Sequence, residues 1–82
     1  MRFMFEVYYA SPESIVRELE IGKLVESYGG KITFREGPND EPPSRYICLT
    51  IEFDNRDRAE EAAKKLRDRG EYIEGIQNYG DD

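Results

Sequence analysis

Tyr46-Ile47-Cys48-Leu49-Thr50-Ile51-Glu52-Phe53, then Asp54-Asn55, an alanine-striped segment ending at Gly70, and Glu71-Tyr72-Ile73-Glu74-Gly75-Ile76 together decide the fold of this 82-residue chain. Ile47, Leu49, Ile51 and Phe53 alternate strictly with polar or small residues, the period-two signature of a strand with one buried face. The strength of that alternation predicts a central strand. Asp54 or Asn55 offers an N-cap oxygen, and Ala59, Ala62, Ala63 and Leu66 recur at helical spacing as a narrow stripe. Gly70 stops the helix, and the chain re-enters an extended pattern. The segment therefore reads strand, helix, strand.

The first half repeats the order. Phe3, Phe5, Val7 and Tyr9 alternate with Arg2, Met4, Glu6 and Tyr8, which predicts a first strand. Ser11 as N-cap, Pro12 at the first helical position and Glu13 beside the positive dipole end predict a helix over 11–28. Its apolar residues change phase near Ile21-Gly22: Ile15, Val16 and Leu19 share one side, Ile21, Leu24, Val25 and Tyr28 another. A kink or break at Gly22 is the expected resolution; the alternative is that Gly22 lets the backbone sit close to the sheet while some later apolar residues face a partner. Gly29-Gly30 forms the C-cap, and Lys31 to Glu36 forms a second strand with Ile32 and Phe34 on one face. The prolines of 36–44 predict a long hairpin loop, and 78–82 a frayed tail. Glu60 with Lys64 and Glu61 with Lys65 are expected to pair along the second helix.

A β-α-β-β-α-β order with right-handed crossovers and a central hairpin leads to an α+β, ferredoxin-like domain over 1–82: a four-stranded antiparallel sheet in the order 4-1-3-2 with two helices on one face. The other face has no covering layer. Residues out of phase with the core, Met4, Glu6, Tyr8, Thr33, Arg35, Tyr46, Cys48, Thr50, Glu52, Tyr72 and Glu74, are expected there.

Charge and composition exclude several classes. A net charge of -6 argues against nucleic acid or an anionic membrane as partner, because neutralising phosphate needs clustered Lys and Arg. Aromatics on a sheet face are shared with RNA-recognition domains, but their Lys/Arg-Gly-Phe/Tyr strand motif is absent. The lone Cys48 cannot form an internal disulfide, so a reducing cytoplasm is the expected setting. Glu6 interrupts the apolar N-terminus, so neither a signal peptide nor a membrane span is expected.

The chain has no histidine, which removes the commonest general base and every histidine-dependent triad. No catalytic residue, cofactor or metal site is assigned. The loop carboxylates Glu36, Asp40 and Glu41 lack calcium-loop spacing, and Gly29-Gly30 closes a helix where a phosphate loop would open one. Cys48 is a possible reactive thiol only if a neighbour lowers its pKa, and a flanking Glu6 or Glu52 would do the opposite. Glu6, Glu52 and Glu74 are expected to converge on the open face, with paired carboxylates or a hard cation as the chemistry that convergence allows.

The binding set is thus Tyr8, Tyr46 and Tyr72 as contact anchors, with Glu6, Glu52 and Glu74 selecting a basic partner. The function expected is a small non-enzymatic binding or regulatory module that self-associates, as a dimer, and presents an acidic, tyrosine-bearing face to a protein partner. The alternative is a small-molecule-binding or enzymatic homodimer with a pocket between two open faces, lined by Glu52, Tyr46 and Cys48.

Two partial resemblances complete the reading. Ile51 to Asp54, then Ala59 to Arg67, then Gly70 and Ile73-Glu74 resembles one half of the bacterial regulators that inhibit ribonuclease E, over under half of the chain, and no site is carried over from it. Tyr28-Gly29-Gly30-Lys31-Ile32 resembles the helix-to-strand corner of ACT domains, amino-acid-sensing modules of the same fold. Their glycine-containing turn after strand one is Ala10-Ser11-Pro12 here, a departure that argues against small-molecule sensing.

Overall fold

The computed structural model describes residues 2–37 and 45–79. Its elements are β1 Arg2–Ala10, α1 Ile15–Ser27, β2 Lys31–Glu36, β3 Tyr46–Phe53, α2 Arg56–Asp68 and β4 Tyr72–Tyr79. The architecture is α+β, with an antiparallel sheet ordered β2-β3-β1-β4, which is 4-1-3-2 read from the opposite edge. The central pair β1–β3 runs unbroken from Phe3↔Phe53 to Ala10↔Tyr46. Phe5, Val7 and Tyr9 of β1 and Ile47, Leu49, Ile51 and Phe53 of β3 are buried with Ile21 and Val25 of α1 and Ala59, Ala62, Ala63 and Leu66 of α2. Both helices therefore cover one face, and the Phe5 and Phe53 rings stack within that layer at 5.7 Å.

Helix α2 follows its sequence closely. Asn55 is the N-cap, its Oδ1 accepting from the Arg58 N–H at 3.0 Å. Its exposed pairs differ from expectation: Glu60 pairs with Arg56 at 3.0 Å and Lys64 with Asp68 at 3.6 Å. Such solvated pairs are each worth only about 0.3–0.5 kcal/mol, so the choice among them has little structural weight.

Helix α1 starts later than expected. The Ser11 N–H donates to the Arg45 carbonyl at 2.8 Å, which holds Ser11 in the sheet layer, and Ser14 becomes the N-cap by accepting from the Arg17 N–H at 3.1 Å. The Ser14 N–H in turn donates to the Tyr9 hydroxyl at 3.0 Å. There is no break at Gly22: α1 continues through it, and the phase change is resolved by leaving Ile15, Val16 and Leu19 exposed while Ile21 and Val25 are buried. Both helices end the same way. Gly29 and Gly70 adopt φ +86° and +97°, and the next residue reaches back, Gly30 N–H to Val25 O and Glu71 N–H to Leu66 O, each at 3.0 Å.

Bulges set the outer strands. In β2 the register passes from Ile32↔Ile51 to Phe34↔Thr50, so Thr33 is an extra residue. Ile32 faces the helices, but Phe34 lands on the open face with Thr50, and Arg35, opposite Leu49, turns to the helix side. The expected placements of Phe34 and Arg35 are thereby exchanged. In β4 the register moves from Glu6↔Glu74 to Met4↔Gln77 through Gly75, whose φ of +100° suits only glycine. That extra residue lets Ile73 and Ile76, three apart, both pack against the core. Strand β4 extends to Tyr79, so Asn78 and Tyr79 belong to the sheet and not to a frayed tail. The remainder of the tail, and the predicted loop from residue 38 to 44 with Asp40 and Glu41, lie outside the described residues. Among the described residues no helix is long and apolar enough to cross a membrane.

Candidate functional site

The registers lay the open face out in rows. One row runs Tyr72, Tyr8, Cys48, Glu36 across β4, β1, β3 and β2; the next runs Glu74, Glu6, Thr50, Phe34; a third runs Gln77, Met4, Glu52, Lys31. Tyr8, Tyr72, Cys48, Glu6 and Glu74 are thus brought together in two adjacent rows. Tyr46 lies beyond them at the Ala10 end, and Glu52 beyond them at the other. All three carboxylates lie on the open face as expected, Glu6 and Glu74 directly opposite one another and Glu52 one row further along, where it is engaged by other residues. Its Oε1 faces Arg2 at 3.5 Å and its Oε2 accepts from the Thr33 hydroxyl at 3.2 Å. Among the described residues no group of three His, Cys, Asp or Glu is arranged to hold a metal ion.

Glu6 organises the centre. The Tyr8 hydroxyl donates to its Oε1 at 3.1 Å and the Cys48 thiol to its Oε2 at 3.7 Å. Partial burial, then the Glu6 and Cys48 contacts, push the Tyr8 phenol well above its usual range. Burial also pushes the Cys48 thiol up, reinforced by the charges of Glu6 and Glu36 against a lowering Tyr8 hydrogen bond. The thiol is held protonated, which is the opposite of what nucleophilic chemistry requires. The carboxylate responsible alongside Glu6 is Glu36, brought opposite Cys48 by the β2 bulge, not Glu52. Tyr72 packs edge-on against Tyr8, ring centroids 6.1 Å apart, and directs its hydroxyl to Glu74 Oε2 at 3.4 Å.

Where β1 ends, a groove of about 680 Å³ opens beside these rings. Tyr8, Tyr46 and Tyr72 wall it together with Glu74, while Ala10 and Gly70 leave it space. Tyr9 and Arg17 close its far side from the helix layer. A smaller hollow of about 280 Å³ sits over the β4 bulge between Met4, Glu6, Glu74 and Gly75.

Behind the groove lies a charged network that the sequence reading missed. The buried Glu71 accepts from Arg17 Nε and Nη2 at 3.2 and 2.8 Å on one oxygen and from Arg69 Nε at 3.3 Å on the other. Arg17 also lies 4.8 Å over the Tyr9 ring, and Arg69 continues to Glu20 at 2.8 Å. On the other flank the Tyr9 hydroxyl donates to Glu18, which pairs with Arg35 at 2.8 Å, and Arg35 also holds Glu13. Arg35 is the main cause of the lowered Glu18 pKa, with the Tyr9 bond adding to it against burial. No local pattern marks these residues: Arg17 and Glu71 are 54 positions apart, and Arg35 reaches α1 only because of the bulge at Thr33.

No protein-family model matches this sequence, and comparison with curated proteins finds no match either.

Proposed function

We propose that this chain is a ferredoxin-like binding module without catalytic chemistry of its own, whose open sheet face receives a basic segment of a protein partner. The observation that carries the reading is the adjacency of the Tyr72-Tyr8 and Glu74-Glu6 pairs on that face. Tyrosines give large contact area at small entropic cost, and carboxylates beside them select cationic partners. Among the described residues neither Glu6, Glu36 nor Glu74 forms a salt bridge, in contrast to the helix side, where Glu13, Glu18, Glu20 and Glu71 all do. Local negative potential on the open face is therefore unspent, and it steers positive charge toward the rings.

Self-association is the second part of the reading, and the exposed Ile15, Val16 and Leu19 on α1 favour that side of the molecule for it. Stacking two open faces would oppose Glu6, Glu52 and Glu74 with their own copies, which disfavours a pocket enclosed between them. Light scattering across a concentration range tests this part: a dimer that Leu19→Lys returns to monomer supports it, and a wild-type monomer at every concentration rejects it.

The face itself is tested by nuclear magnetic resonance titration of the labelled protein with a lysine- and arginine-rich twelve-residue peptide and an acidic one of equal length. The basic peptide is expected to move amides on the open side of β1, β3 and β4, with affinity falling as salt rises. The double variant Tyr8→Ala/Tyr46→Ala is expected to lose that binding while staying folded. Equal response to both peptides, or shifts confined to the helix layer, rejects the reading.

A further inference from the structure

Resting on that reading, we propose that the groove at the end of β1 is an anchor pocket for a single arginine side chain carried by an extended segment of the partner. The hollow has a local cause. Tyr8, Ala10 and Tyr46 follow the open face up β1 and across to β3, and β4 contributes Tyr72 just after the chain has turned at Gly70. Two residues with almost no side chain therefore stand among three tyrosines. A Cβ built on Gly70 would meet nothing within 4 Å, so the space is open from that side as well.

The chemistry of the wall selects the occupant. Tyr72 and Tyr8, at 69° to one another, present ring surface at two orientations, and Glu74 lies beside them with no salt bridge among the described residues to neutralise it. Arg17, the cation on the far wall, is already committed: two of its nitrogens bind Glu71 and its guanidinium lies over Tyr9. That pairing of a tyrosine ring and a glutamate around a guanidinium is an internal version of the proposed site, set in the far wall of the same groove. A planar, weakly hydrated guanidinium stacks on such rings and meets a carboxylate through two N–H groups, which the compact, strongly hydrated ammonium of lysine does less well.

The test is a titration of the labelled full chain with acetyl-Gly-Ser-Gly-Arg-Gly-Ser-Gly-amide and with the same peptide carrying citrulline, a neutral isostere, in place of arginine. The arginine peptide is expected to move the amides of Ala10, Gly70, Tyr72 and Glu74 and to bind at least about tenfold more tightly than the citrulline peptide, as a desolvated cation–π contact with a carboxylate requires. Ala10→Phe, which fills the hollow from an exposed position, is expected to abolish the response. Tyr46→Ala and Glu74→Gln, both at exposed sites, are each expected to weaken it severalfold, and they serve if Ala10→Phe does not fold. Equal binding of both peptides, or an undiminished response in the variants, overturns the pocket. The longer basic peptide separates the two levels: if it still binds the face of Ala10→Phe at wild-type strength, the pocket alone is wrong, and if it binds no variant and not the wild type, the reading of the face falls with it.

Discussion

Glu71→Gln should destabilise the fold by about 2 kcal/mol, a value that follows from how Glu71 is held. Its side chain is 2% exposed and receives three hydrogen bonds, two from Arg17 and one from Arg69. Breaking a buried ion pair by removing one partner typically costs about 3–5 kcal/mol, because the remaining charge is left dry. Here the side chains of Arg17 and Arg69 remain 39% and 34% exposed, so both can recover water, which brings the cost below that range, to about 2 kcal/mol. Glutamine keeps one acceptor oxygen but turns its NH₂ toward a guanidinium, donor against donor. In a domain of this size about 2 kcal/mol corresponds to a fall in Tm of roughly 8–16 °C. Thermal denaturation followed by circular dichroism, with urea unfolding to confirm an unchanged m-value, makes the measurement. A Tm within about 3 °C of wild type, equivalent to under about 1 kcal/mol, would refute the argument. A more stable Glu71→Met would show instead that desolvation of the carboxylate outweighs its pairing.

Gly30→Ala should cost about 1–3 kcal/mol, since its Cβ would come within 2.5 Å of the buried Phe53 ring, whereas Gly22→Ala in α1, whose Cβ meets only Ile32 Cδ1 at 3.7 Å, should stabilise by about 0.5–1 kcal/mol. Parallel urea titrations check the pair, and equal effects would contradict the packing described. Because Arg35 holds the Glu18 carboxyl below its usual pKa, Glu18 stabilises the fold in full above its unfolded value of about 4.3 and loses that contribution as pH falls through the lower folded one. The Tm gap between wild type and Glu18→Gln should therefore close on acidification below about pH 4; a gap independent of pH would remove Arg35 as the cause. Cys48 should react with a disulfide reagent at pH 8 at least about tenfold more slowly in the native protein than in urea, because its thiol is kept protonated and part-buried.

Legibility in the sequence followed regularity. Strand β3 and helix α2 were readable because the central strand pairs without interruption and the alanine stripe faces one layer throughout. The extent of strand β2, Lys31–Glu36, was readable too, but its facing was not, because Thr33 separates the spacing of Ile32 and Phe34 along the chain from the faces they occupy. Ser11 and Ser14 are both adequate caps locally, and the choice is made by a hydrogen bond to Arg45 that no window around either serine contains. The tyrosines and glutamates of the open face came from alternation combined with strand order. The groove did not, since Ala10 and Gly70 act by lacking side chains, and absence leaves no pattern to read. The Arg17–Glu71–Arg69 cluster was hidden for a different reason: a buried glutamate just past a helix looks like any surface charge until its two partners are placed.

The two bulges have a consequence for how the protein behaves when concentrated. Fibril growth by sheet extension needs a long, flat strand border along which a second chain can register residue after residue. In this molecule the unbroken ladder is confined to the interior pair, and each of the two borders is interrupted, at Thr33 on one side and at Gly75 on the other. An incoming strand would find only a few matched positions before the spacing shifts. The same irregularities that give the outer strands their mixed chemistry thus keep an otherwise tyrosine-rich sheet from serving as a template for its own aggregation.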